Sequence, residues 1–132
     1  MKAKALISMA VIFLLPVLVF AQDNPRLNVE DIRICTSVED RQPVGADTSF
    51  AGGVGQLYCF TKLSGEQDSA TIYHAWYYYD KEMLKVELNT KAKVWRTWSS
   101  KKIPDTYTGK WRVDVVSSDG GVLGSIEFTV KE

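Results

Sequence analysis

Any chemistry in this chain would have to begin at His74, the single histidine, which sits inside the run Thr71-Ile72-Tyr73-His74-Ala75-Trp76-Tyr77-Tyr78-Tyr79-Asp80. Imidazole is the one side chain whose ordinary pKa suits proton transfer near neutral pH, so a general base here needs only a nucleophile or carboxylate in hydrogen-bond reach. Few partners are on offer. No serine lies in a G-x-S-x-G elbow, and a thiol nucleophile would have to come from Cys35 or Cys59. One histidine and two distant cysteines make a poor zinc set, and Ser118-Asp119-Gly120 lacks the carboxylate spacing of a calcium loop, so no metal or other cofactor is expected. Gly52-Gly53-Val54-Gly55 is followed by no Lys-Ser/Thr pair and opens no helix, which removes a phosphate loop. Glu39-Asp40 sits at a strand end where solvation accounts for it, and no pair of acids stands out for glycoside hydrolysis. The chain therefore reads as non-catalytic. A small hydrolase-like enzyme using His74 is the alternative, and it requires His74 at a solvent-open pocket.

The aromatic load is the more unusual feature: 4 Trp and 6 Tyr in 132 residues. Period two divides the run around His74, with Ile72, His74, Trp76 and Tyr78 on one face and Thr71, Tyr73, Ala75, Tyr77 and Tyr79 on the other. Only one face meets a core, and Ile72 and Trp76 suit it better. His74 then becomes a histidine bonded to a nearby carbonyl or side chain. Tyr73, Tyr77 and Tyr79 are left as an outward strip that, with Trp98, would suit sugar rings, peptide side chains or a partner's sheet.

These residues need strands to carry them. Apolar alternation runs from Val29 to Val38, Gln56 to Leu63, through the opening run, Met83 to Leu88, Val94 to Ser99, Lys110 to Val116 and Val122 to Val130. Pro43 and the glycines 45, 52, 53 and 55 mark a polar loop, Asp80-Lys81-Glu82 a tight turn, and Ser118-Asp119-Gly120-Gly121 a hairpin turn with positive φ. Seven strands with turns about every 8 to 12 residues predict an all-β, immunoglobulin-like, two-sheet antiparallel β-sandwich. A small β-barrel is the runner-up, because sequence does not report sheet closure.

Lys2 and Lys4 precede an apolar run from Ala5 to Phe20 that ends in Val19-Phe20-Ala21, the layout of a secretory signal peptide cut after Ala21. Pro16 and the short run argue against a stable membrane span, although a retained anchor is the alternative. The domain prediction is a signal peptide over 1–21 and one β-sandwich domain over 22–132, secreted or periplasmic. Losing Lys2 and Lys4 from a chain with 16 basic and 16 acidic residues leaves a slight acidic excess, which gives no reason to expect nucleic acid. In an oxidising compartment Cys35 and Cys59 are expected to pair, at about 3 to 4 kcal/mol of stabilisation; two buried, unreactive thiols are the alternative.

A set of ordered motifs adds to this reading: Arg41-Gln42-Pro43-Val44, Leu57-Tyr58 with Phe60-Thr61, His74-Ala75-Trp76-Tyr77-Tyr78, Trp95-Arg96-Thr97-Trp98-Ser99-Ser100-Lys101, Gly109-Lys110-Trp111-Arg112-Val113 and Gly121-Val122-Leu123-Gly124. Over residues 30 to 130 the chain resembles a family of exported bacterial domains of unknown function, marked by R-x-P, H-x-W, W-R-x-x-S-S-K and G-x-W-x-V. That resemblance implies an exported domain and supplies no reaction. It directs attention to His74, Trp76, Trp95, Arg96, Ser99 and Trp111. Trp76, Trp95 and Trp111 are expected in the core, with His74 and Arg96 at a rim that orders the loop from Ser99 to Gly109. The functional expectation is a non-catalytic binding domain for a protein or glycan partner in the cell envelope, contacted through Tyr73, Tyr77, Tyr79, Trp98, Arg96 and His74. An envelope-associated structural protein is the alternative.

Overall fold

Each stretch of apolar alternation becomes a strand in the computed structural model, which describes residues 26–132. The expected signal peptide lies outside the described residues. The elements are β1 (Leu27–Cys35), β2 (Ser37–Glu39), β3 (Gln42–Val44), β4 (Ser49–Phe50), β5 (Gly55–Gly65), β6 (Ala70–Tyr78), β7 (Lys81–Thr90), β8 (Val94–Ile103), β9 (Gly109–Ser117) and β10 (Val122–Val130). No helix occurs among the described residues.

The seven long strands, β1 and β5 to β10, form two sheets ordered β1-β5-β8 and β10-β9-β6-β7. Every ladder between them is antiparallel, and neither sheet closes into a barrel. The fold is thus the expected β-sandwich. Its fourth long strand, β7, stays on its hairpin partner β6, whereas a constant-type immunoglobulin domain carries its fourth strand in the other sheet. Two short additions escape the alternation signal. The two-residue β4 pairs parallel to the end of β10. The expected strand through Val38 breaks at Thr36, and the expected polar loop at Pro43 begins with a small hairpin of β2 on β3.

The sandwich interior holds two apolar clusters. Ile34, Leu57 and Cys59 from one sheet pack against Trp76, Trp111, Val113 and Phe128 from the other. Farther along, Leu63 faces Ile72 and Val115. Trp76 and Trp111 lie in this core as expected, at 0% and 2% exposure. Trp95 does not. It is half-buried where β8 ends its sheet, with no strand hydrogen-bonded beyond β8 among the described residues, and the Arg41 guanidinium stacks 4.9 Å over its ring.

The expected disulfide is absent, and the register explains why. Cys35 faces Tyr58 and Cys59 faces Ile34 across the β1–β5 ladder, so the two thiols point to opposite faces of one sheet. Cys59 lies in the core, and Cys35 is buried on the outer face, where the β2–β3 hairpin packs onto β1 and β5. Burial pushes both thiols above their ordinary pKa, which leaves them weak nucleophiles.

Candidate functional site

His74 projects from β6 into the divide between the two apolar clusters, where it is 0% exposed. Its Nδ1 lies 2.7 Å from Ser99 Oγ on β8, and its Nε2 lies 3.2 Å from Thr61 Oγ1 on β5. Trp76 Nε1–H donates to Ser99 Oγ at 3.0 Å, and Thr61 Oγ1 donates to the Thr97 carbonyl at 3.4 Å. One proton arrangement satisfies every group. Ser99 accepts from Trp76 and donates to Nδ1, while Nε2–H donates to Thr61. Imidazolium would break this chain, because the Ser99 hydroxyl hydrogen would then lose its acceptor. Burial, which disfavours the charged ring, independently lowers the His74 pKa to about 4. The Ser–His spacing resembles an activated nucleophile, but no described pocket reaches it. What the arrangement does is clamp two sheets together.

The open site is on the outer face of the five-stranded sheet. There Tyr77 of β6 lies opposite Arg112 of β9, which lies opposite Glu127 of β10. Together with Thr48, Tyr79 and Lys110 these line a groove of about 560 Å³. Arg112 is its fixed centre. Its Nη1 donates to Asp80 at 2.7 Å, its Nε donates to Asp114 at 3.0 Å, and its guanidinium sits 4.4 Å over the Tyr77 ring. Asp114 is held in turn by Ser125, whose hydroxyl donates at 2.6 Å. The hydrogen bond with Asp80, followed by the charges of both acids, raises the Arg112 pKa against the effect of burial, so the guanidinium stays charged.

Tyr79 does not continue the strand. It and Asp80 form the β6–β7 turn at φ 44° and 65°, the left-handed conformations of a two-residue type I′ loop. The Tyr79 ring lies against Gly109, at φ 112°, where any Cβ would collide with it. Tyr78 turns inward and donates from its hydroxyl to the Thr108 carbonyl at 2.6 Å, which ties the loop to the strand end.

The expected strip is therefore divided. Tyr73 is half-buried under the Lys85 ammonium, 4.7 Å from its ring. Ala75, 1% exposed, separates it from Tyr77. Trp98 and Arg96 stand on the outer face of the other sheet, beside Phe60 and Lys62, and so join none of Tyr73, Tyr77 and Tyr79. His74 and Arg96 do not meet at a rim, since His74 is enclosed and Arg96 points outward from β8. Sequence reasoning missed Asp80, Lys110 and Glu127 as groove residues. Period two marked Arg112 and Asp114 as outward, but only the sheet order brings β9 and β10 beside Tyr77.

Fold and groove together define a small two-sheet β-sandwich with a charged, tyrosine-edged groove on one outer face. Residues 69–130, from β6 to the end of β10, match the family described as "Protein of unknown function (DUF2914)". The matched span takes in the motifs at His74, Trp95, Gly109 and Gly121, while those at Arg41 and Leu57 fall outside it. No curated protein matches the sequence. Among solved structures, the β-glucosidase from Kluyveromyces marxianus is similar at TM-score 0.46 and 12% identity, over 82% of this chain and 14% of that one. The GH3 β-glucosidase of Bifidobacterium adolescentis is similar at TM-score 0.46 and 8% identity, over 80% of this chain and 17% of that one. The β-glucosidase from Listeria innocua, in complex with glucose, gives 0.45 and 10%, over 82% and 16%. This chain corresponds in length to a small part of each enzyme.

Proposed function

We propose that this is an exported, non-catalytic binding domain, secreted or periplasmic, whose ligand lies in the groove around Tyr77, Tyr79 and Arg112. The observation that carries this reading is the β6–β7 turn. Tyr79 and Asp80 hold left-handed backbone conformations; Asp80 tolerates this through its short polar side chain, but for Tyr79 it costs about 1–2 kcal/mol. An Asn-Gly pair would make the same turn with less strain. Instead the strained turn holds Tyr79 at 59% exposure and sets Asp80 against Arg112. Strain retained where it shapes an open surface supports a role for that surface.

A glycan of the cell envelope fits the groove best. The exposed Tyr79 ring offers a flat apolar face, and Lys110, Arg112, Asp80 and Glu127 supply donors and acceptors for hydroxyl groups. Glycan arrays and pull-downs from the envelope fraction of the same organism, run with the wild type and a Tyr77→Ala, Tyr79→Ala double variant, test this. Ligands lost in the double variant are expected; identical profiles would remove the groove from consideration.

A further inference from the structure

We propose that the open edge of β8 receives an acidic, extended peptide as an added strand, independently of the tyrosine groove. β8 ends the three-stranded sheet, so among the described residues one side of its backbone meets no ladder. Exposed edges are templates for pairing, and proteins usually blunt them with bulges, short length or proline. The other outer strands follow that habit: β1 is shifted between Val29 and Asp31, the β7 ladder is shifted at Trp76 and Tyr77, and β10 is shifted between Val122 and Gly124 and partly covered by β4. β8 does not. It runs 10 residues in unbroken register with β5 and contains no proline.

Charge is the one protection it has, and that charge is selective. From Thr90 to Pro104 the chain carries Lys91, Lys93, Arg96, Lys101 and Lys102 and no acid. Lys101 turns inward over Trp111, 5.7 Å from its ring. None of the ion pairs among the described residues involves the others. A shallow seam of about 400 Å³ beside the strand sets Arg41, Lys91 and Arg96 against a single acid, Glu87. Such an edge repels a second copy of itself and attracts an acidic strand. Backbone hydrogen bonds would supply the ladder. Exposed Val94 and Trp98, on the same face as Arg96, would supply apolar contact at alternate positions.

The test titrates the isotopically labelled protein with a peptide of about eight residues alternating Glu with Thr and Val. Parallel arms use the same peptide N-methylated at alternate amides, its Lys-for-Glu counterpart, and a sulfated oligosaccharide. The acidic peptide is expected to shift the amides of residues 94–103 and to protect from exchange the alternate ones that point away from β5, in the wild type and in the Tyr77→Ala, Tyr79→Ala variant alike. Affinity is expected to fall about tenfold or more on N-methylation, on Lys substitution, and in a Lys91→Glu, Arg96→Glu variant of unchanged circular dichroism. Equal binding of the N-methylated peptide or the oligosaccharide would overturn strand addition in favour of simple ion binding. Protection of β8 by self-association, or shifts confined to other strands, would overturn the assignment of edge or occupant.

Discussion

His74 shows how one buried side chain can set the pH response of a whole fold. Its folded pKa of about 4 lies below its ordinary value of 6.5 because burial disfavours the charged ring. Above pH 6.5 the imidazole is neutral whether the chain is folded or not, so it adds no pH dependence there. Between 6.5 and 4 the unfolded chain takes up a proton that the folded chain refuses, and stability falls with pH by about 1.4 kcal/mol per unit. The loss reaches about 3 kcal/mol near pH 4. Because the chain has 1 histidine, the imidazole signal in a nuclear magnetic resonance titration is unambiguous. It is expected to stay that of the neutral, Nε2-protonated ring down to about pH 4, while the urea midpoint falls from pH 6.5 downward. A ring that titrates near 6.5, or a flat midpoint between 6.5 and 5, would contradict the clamp. Period two placed His74 on the core face, but its partners Thr61 and Ser99 come from the opposite sheet and were invisible without sheet order.

Turn chemistry separates what the elements disclose from what they hide. The Gly120-Gly121 turn was legible because glycine advertises positive φ, and Gly120 has φ 90°. The Asp40-Arg41 and Tyr79-Asp80 turns adopt φ of 49° and 61°, and 44° and 65°, with ordinary residues, so the β2–β3 hairpin read as a loop and Tyr79 read as strand. Both turns place a side chain on a surface: Arg41 over Trp95, and Tyr79 beside the groove. Replacing Tyr79 by Asn and Asp80 by Gly should relieve the β6–β7 turn by about 1–2 kcal/mol. Losing the Asp80–Arg112 ion pair should return less than about 1 kcal/mol of that, because Asp80 is 87% exposed. The expected variant unfolds at a higher urea concentration and loses the glycan binding proposed for the groove. Lower stability would mean that the Tyr79 ring and its packing on Gly109 hold the hairpin end, and that the turn is structural.

At the scale of the molecule, the two cysteines report how the sandwich opens. The alternation that made the fold legible also put Cys35 and Cys59 on opposite faces of the β1–β5 pair, a consequence of register that sequence spacing alone does not disclose. Cys59 lies between the sheets, so a reagent reaches it only when the core parts. Cys35 lies under the β2–β3 hairpin, whose 3-residue strands pair only with each other. Short, weakly supported elements open locally at far lower free energy than the core. In native buffer, a thiol reagent should therefore add one label first, at Cys35, at a rate insensitive to small amounts of urea. The second label, at Cys59, should follow at a rate that rises with urea as global stability falls. Mass spectrometry of the wild type, Cys35→Ser and Cys59→Ala separates the two events, and a reductant should leave the thermal midpoint unchanged. If both thiols react together at the global rate, the hairpin is an integral part of the sandwich, and Arg41 on Trp95 is the contact that binds it in.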